Sequence, residues 1–169
     1  MKHKKELEEI DRMIKQNNSE DIIKYENEKE FKIGDIFEIR KKPPTPYIKN
    51  ELVNVVCASK LNNGIKNQQL SDKNTFDGNK IVAITGGDGG SGICHYHNSP
   101  FNIQSSTCVL IPKYSFLNEK NGPFISKILS KYKKKYNHSY QWNSKRMKND
   151  TVILPINPET GTIDDKFYI

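Results

Sequence analysis

The densest set of nucleophilic and metal-ligating side chains in the chain is Cys94-His-Tyr-His97. On a strand these residues alternate, Cys94 and Tyr96 facing one way and His95 and His97 the other, so at most two converge locally. A zinc site needs about four ligands, and Cys57, Cys108 and His138 supply no second close pair. No local signature marks a Cys/His nucleophile either. The plainer reading makes Cys94 a small core residue, with His95 or His97 at a polar surface. Asp21 and Glu30-Phe-Lys32 echo the spacing of nuclease carboxylates, yet they fall on a helix and at the edge of a turn rather than on core strands. Gly86-Gly-Asp-Gly-Gly-Ser-Gly92 lacks the Lys-Ser/Thr pair of a phosphate loop and runs into Ile93-Cys-His-Tyr, a strand pattern. Its five glycines let the backbone turn sharply and approach another strand or a ligand closely, as a long hairpin tip would. Neither the first-strand glycine loop nor the Asn/Asp-Pro-Pro-Tyr/Phe pocket of a methyltransferase is present. No catalytic residue, metal or cofactor is expected.

The polar, positive residues carry the stronger signal. Of 27 Lys and Arg, nine lie between Lys120 and Asn149, where no Asp or Glu occurs; the rest of the chain holds 18 basic against 20 acidic residues. The whole formal excess of +7 is therefore confined to 30 residues, the footprint of a polyanion-binding surface. A lysine run also suits a solvated helix face. The balance is tipped by Lys133-Lys-Lys-Tyr-Asn-His-Ser-Tyr-Gln-Trp142, which interleaves cations, amides and rings, with Lys145, Arg146 and Lys148 following. Lysine and arginine suit phosphates and guanine edges, Asn and Gln suit adenine, and rings suit stacking. Lys60, Asn62 and Asn63 offer similar chemistry on the turn from Ser59 to Gly64.

The elements that position these groups are short. The chain has 169 residues, a 34% hydrophobic share and a mean hydropathy of −0.78, enough for one domain with a real core. It has no apolar run of the roughly 18–20 residues that span a bilayer. It starts Met1-Lys-His-Lys-Lys, unlike a secretory leader, and its three cysteines are widely spaced. A cytoplasmic protein without a disulfide framework is expected. Residues 1–30 read as a helical appendage, with a stripe at Leu7, Ile10, Met13 and Ile14. Residues 31–169 read as the domain proper. Strands are expected on both sides of a tight turn at Gly34-Asp35, and over Leu52–Ala58, Lys80–Thr85, Gly92–Tyr96, Phe101–Gln104, Thr107–Pro112 and Thr151–Ile156. Lys42-Pro-Pro-Thr-Pro-Tyr47 must be a loop. One long helix is expected from Pro123 to Tyr136, and Ile163–Ile169 reads as the opening of another. The expected class is α+β: a mostly antiparallel meander, one long internal helix and helical flanks at both termini.

From Phe31 to Tyr168 the order of pieces resembles the target recognition domain of type I restriction–modification specificity (S) subunits and the related type IIB/IIG domains. The pieces are Phe31-Lys-Ile-Gly-Asp-Ile-Phe-Glu-Ile39, Val55-Val-Cys-Ala-Ser59, Leu61-Asn-Asn-Gly64, Asp77-Gly-Asn-Lys-Ile-Val-Ala83 and the glycine-rich turn into Cys94-His-Tyr-His97. They continue with Pro100-Phe101, Thr107-Cys-Val-Leu-Ile111, the long helix, Trp142 followed by Lys145-Arg146, Asp150-Thr-Val-Ile-Leu-Pro-Ile156 and Gly161-Thr-Ile-Asp164.

The resemblance implies a non-catalytic module whose loops enter the major groove of double-stranded DNA and read a short target for a partner methyltransferase and possibly a restriction subunit. It implies one recognition half, completed by a second half or by a homodimer. Asp164-Asp165 stands where relatives carry Asp-Trp before their spacer helix. Phosphate contacts are expected from Lys60, Lys131, Lys133, Lys134, Lys135, Lys145 and Lys148. Base or stacking contacts are expected from Asn62, Asn63, Tyr140, Gln141, Trp142 and Arg146, and weaker ones from Asp88, Ser91 and His97. The rival readings are a small nucleic-acid-acting enzyme, either a metal-dependent nuclease or a Cys/His hydrolase, and an assembly or inhibitor protein that binds an acidic partner.

Overall fold

The runs Ile81-Val-Ala-Ile84 and Cys108-Val-Leu110 are apolar at every position, and such strands need cover on both faces. The computed structural model, which describes residues 26–87 and 90–167, provides it. Strands β5 (Lys80–Ile84) and β8 (Thr107–Pro112) form the middle of a four-stranded antiparallel sheet, with β2 (Phe37–Arg40) and β6 (Cys94–His97) at its edges. Ile81, Ala83, Cys94, Tyr96, Cys108 and Leu110 face the main core, where α2 (Gly122–Leu129), Trp142 and Met147 cover them. Val82 and Val109 face a second core with Val56, Phe76 and Phe101. That second core belongs to a three-stranded sheet, β4 (Ile65–Leu70), β3 (Leu52–Val56) and β7 (Phe101–Ile103), in which β3 and β7 run parallel.

A third, two-stranded sheet pairs β1 (Glu28–Lys32) with β9 (Thr151–Pro155). Between β1 and β2 the chain makes one helical turn, α1 (Ile33–Ile36), which buries Ile33 and Ile36 where a tight turn is expected. Residues 1–25 of the expected appendage lie outside the described residues, and Glu28–Lys32 is already strand.

The expected long helix is broken. After Leu129 the chain tightens into a 3-10 turn, Ser130–Lys134. Ser130 causes the break: its hydroxyl back-bonds to the Ser126 carbonyl at 2.8 Å and accepts from the Cys94 amide at 2.9 Å, so it ties the turn to the edge of β6. Tyr132 and Tyr136 then point inward, their hydroxyls donating to the Thr151 carbonyl and the Asp150 carboxylate.

The expected C-terminal helix does not form through Phe167. Asn157-Pro-Glu-Thr-Gly161 folds the chain back, Ile163 bridges Ile156, and the Asp164 amide donates to the Pro155 carbonyl. Two elements escape the hydrophobic pattern. Strand β4 is exposed from Lys66 to Leu70, and α3 (Ser144–Asn149) buries only Met147. The start of α3 is fixed by Asn143, whose side chain accepts from the Arg146 amide at 2.9 Å.

Candidate nucleic-acid interface

Strand register brings the expected loops to one end of the molecule. Ile84 at the end of β5 pairs with Thr107 at the start of β8, and Arg40 at the end of β2 lies opposite Val109. Val56 at the end of β3 lies opposite Ile103 at the end of β7, which turns directly into β8. The connections after β2, β3, β5 and β7 therefore leave from the same edge of the two stacked sheets. Asn62, Asn63 and Gly64 turn the chain after β3 with three successive positive φ values, of 50°, 53° and 77°. Asn and Gly are the residues that tolerate this region best. Asn63 is anchored through its side-chain amide to the Tyr96 carbonyl at 2.9 Å.

The glycine-rich hairpin joins β5 to β6, as expected, and docks on the basic segment. Gly92, at φ 91°, lies against the Tyr132–Lys133 peptide, and the Gln141 side-chain amide lies over Gly86. The Trp142 amide donates to the Thr85 carbonyl at 2.9 Å. Beyond this seam an aromatic ladder climbs to the surface: Trp142 stacks on Tyr136 with centroids 5.7 Å apart, Tyr136 on Tyr140 at 5.4 Å, and the Arg146 guanidinium covers Tyr140 at 3.9 Å. The guanidinium also donates to the Gln141 carbonyl. A planar fork held flat in this way is preset for a guanine edge or a phosphate. Asp150 anchors the foot of the ladder, accepting from the Trp142 indole at 2.9 Å and the Tyr136 hydroxyl at 2.6 Å. Burial first, and then this bond, push the Tyr136 phenol up to about 12, so it stays a donor.

The basic segment does not fill one cleft. Lys60, Asn63, Lys131 and Lys133 line a groove beside β6 and α2. Lys135, Tyr140, Lys145 and Arg146 line another, and Lys148 joins Arg40, Lys41, Lys42 and Lys113 at α1. Lys134 is exposed on the 3-10 turn, and Asn62 and Gln141 are exposed at the strand-end edge. Lys135 is engaged by Asp150 at 3.1 Å, which raises its pKa, so it acts as an internal counter-ion. The Arg40, Lys41, Lys42 and Lys113 group goes unnoticed in the sequence, because two distant chain segments assemble it beside Lys148. Asp88 lies outside the described residues.

Three expected contacts are corrected. Trp142 is 0% exposed and Ser91 and His97 are each 4% exposed, so none of them reaches a duplex. Trp142 is the largest apolar surface in a polar stretch and is drawn into the main core; His97 packs its ring against Phe101 with centroids 5.3 Å apart. Burial, then the neighbouring His95, lower the His97 pKa to about 4, only partly opposed by a bond with the Asn63 backbone. The unfolded chain takes up a proton near pH 6.5 and the native one does not, so stability is full above pH 6.5 and falls as pH drops toward 4. The expected loss is about 3 kcal/mol over that window. His95, also lowered by burial, adds in the same direction. Urea unfolding at pH 7 and pH 4.5 checks this. The His97→Phe protein is expected to keep most of the lost stability, and an unchanged pH slope would refute the assignment.

Among the described residues no group of three His, Cys, Asp or Glu is placed to hold a metal ion, and no helix is long and apolar enough to cross a membrane. No curated protein matches the chain. Solved structures that share its fold include the following three. The type I restriction–modification S subunit from M. genitalium is 18% identical with a TM-score of 0.52, over 77% of this chain and 35% of that one. The HsdS subunit from Thermoanaerobacter tengcongensis is 10% identical with a TM-score of 0.53, over 88% and 39%. A chain from a structure of type I R-M complex assembly and conformational transition is 11% identical with a TM-score of 0.51, over 90% and 41%. The chain thus spans well under half the length of the proteins it resembles. A family match that runs from residue 25 to residue 167 shows that this chain belongs to the type I restriction modification DNA specificity domain family.

Proposed function

We propose that the chain binds double-stranded DNA sequence-specifically and serves as the specificity module of a restriction–modification system, directing a methyltransferase, and with it a restriction subunit, to a short target. The family match over residues 25–167 carries this reading, and that family supplies specificity rather than catalysis. The convergence of four interstrand connections at one edge supports it, with Arg146 stacked on Tyr140 and Gln141 exposed beside the hairpin. Because the chain spans 35–39% of the two S-subunit chains it resembles, we infer that a second recognition half completes the target, either another domain or a second copy of this one.

Selection of bound duplexes from a randomised pool by the full chain is expected to return one short motif. Arg146→Ala is expected to lose roughly 1–3 kcal/mol of discrimination at one base position. Lys145→Ala is expected to weaken all duplexes alike and to flatten the salt dependence by about one phosphate. A wild-type pool without a motif would sink the reading, and undiminished selectivity at every position would remove Arg146 from it.

A further inference from the structure

Strand β4 presents Lys66-Asn-Gln-Gln69 to solvent along its length, an unusual run for a strand next to a buried one. Gln69 lies opposite Val53, and the same face continues across the sheet through Val55 to Asn102 on β7. A groove opens on this face, lined by Gln69, Asn74 and Gln104 together with Lys41 and Lys42. All five of those side chains are exposed. Its floor is a fixed polar network. The Asp72 carboxylate accepts from the Asn74 amide at 2.8 Å and from the Asn102 side chain at 3.3 Å, and buried Thr75 donates to Asn102 at 2.6 Å. The Gln69 amide donates to the other Asp72 oxygen at 3.4 Å, which leaves the Gln69 carbonyl oxygen as an acceptor for an incoming donor.

The chemistry of this groove is that of base edges. Glutamine amides pair with adenine and a carboxylate accepts from the cytosine amine, and a two-stranded ribbon fits the major groove. Lys41 and Lys42 are shared with the basic cleft that holds Arg40, Lys113 and Lys148. Among the described residues the one carboxylate lining that cleft, Glu38, is paired with Arg40 at 2.8 Å. Phosphate-seeking cations thus border base-reading amides: Lys41, Lys42 and Gln104 follow β2 and β7 at the end from which the other loops leave, while Gln69 stands farther along the same face, opposite Val53.

We infer that this groove is a second base-reading surface for duplex DNA, in which Gln69 and Gln104 contact base edges while Lys41 and Lys42 hold the flanking phosphates. The inference rests on the DNA reading proposed above and adds residues from chain segments that carry none of the excess charge.

Duplex selection with the full chain tests it, comparing wild type with Gln69→Ala, Gln104→Ala and Lys42→Ala. All three side chains are exposed, so wild-type melting temperatures are expected. A roughly tenfold fall in preference at one base pair, with the rest of the motif kept, in either glutamine variant would support the groove. Lys42→Ala is expected to weaken every duplex alike and to reduce the salt slope by about one. If both glutamine variants return the wild-type motif at every position, the groove is overturned while DNA reading stands. If wild type itself returns no motif, both fall together.

Discussion

Replacing Asp150 by alanine is expected to cost about 4 kcal/mol of folding stability, the sum of two stranded buried donors at roughly 1–3 kcal/mol each and the packing they lose. The carboxylate is 11% exposed and holds the Trp142 indole, the Tyr136 hydroxyl and the Lys135 ammonium together. Its own backbone accepts from the Ile33 amide at 2.9 Å, so it also joins α1 to the end of α3. Without the carboxylate, Trp142 keeps a donor with no acceptor in the middle of the main core. Asp150→Asn separates the contributions. Its carbonyl oxygen replaces the atom that serves Trp142 and Tyr136, and only the exposed Lys135 pair is lost, worth about 1 kcal/mol or less. Urea or thermal unfolding measures both variants. For a chain of this length the alanine loss lowers the melting midpoint by roughly 8–16 °C. Equal losses in the two variants would show that the ladder does not hang on that oxygen. Since Arg146 rides on Tyr140 and Tyr140 on Tyr136, the alanine protein is also expected to read DNA less selectively than the asparagine protein.

The sheet was legible in the sequence wherever burial set the pattern. β5, β6, β7 and β8 sit within a residue or two of their expected bounds because Val, Ile, Phe and Cys at those positions cover one core or the other. β4 was not legible, because its residues after Ile65 face water and its pairing with β3 rests on backbone hydrogen bonds and one exposed side-chain bond, from the Gln68 amide to Asn54 at 3.2 Å. The helix boundary at Leu129 was hidden for a related reason: Ile128, Leu129, Tyr132 and Tyr136 keep a helical stripe while Ser130 diverts the backbone. The core position of Trp142 is hidden because its neighbours in sequence are polar. The usable signal was Asp150, the first carboxylate after a long basic stretch and therefore its natural counter-ion.

The cationic surface is legible only in part for the same reason. Summing Lys and Arg by segment located Lys145 and Arg146 at the surface. It missed Lys41, Lys42 and Lys113, which are diluted by Glu and Asp along the chain and concentrated only by the return of β8 beside β2. It also counted Lys135 as available when Asp150 holds it. Local sequence reports which residues want water. The partner each one meets depends on register and on which loops share an edge, and here they gather the cations into three separate clefts.

That edge depends on one glycine, and Gly92→Ala is expected to lose about 3–5 kcal/mol, combining backbone strain with overpacking. Gly92 closes the glycine-rich hairpin, its amide donating to the Ile84 carbonyl at 2.9 Å. Its φ of +91° is one that L side chains rarely adopt, and an added Cβ would lie 2.4 Å from the Lys133 nitrogen and the Tyr132 carbonyl carbon. Those are main-chain atoms in a 3-10 turn, so no side chain can swing aside to relieve the clash; the hairpin must lift from the basic segment. Gly161 is the internal control. It has a comparable φ of +72° but nothing within 4 Å of an added Cβ, so Gly161→Ala bears only the conformational cost of about 1 kcal/mol. The difference between the two variants, read from unfolding midpoints in urea, isolates the contact between hairpin and turn. Were Gly92→Ala no worse than Gly161→Ala, the hairpin would not be seated on Tyr132–Lys133, and the interface would lose the seam that brings Gly86 under Gln141.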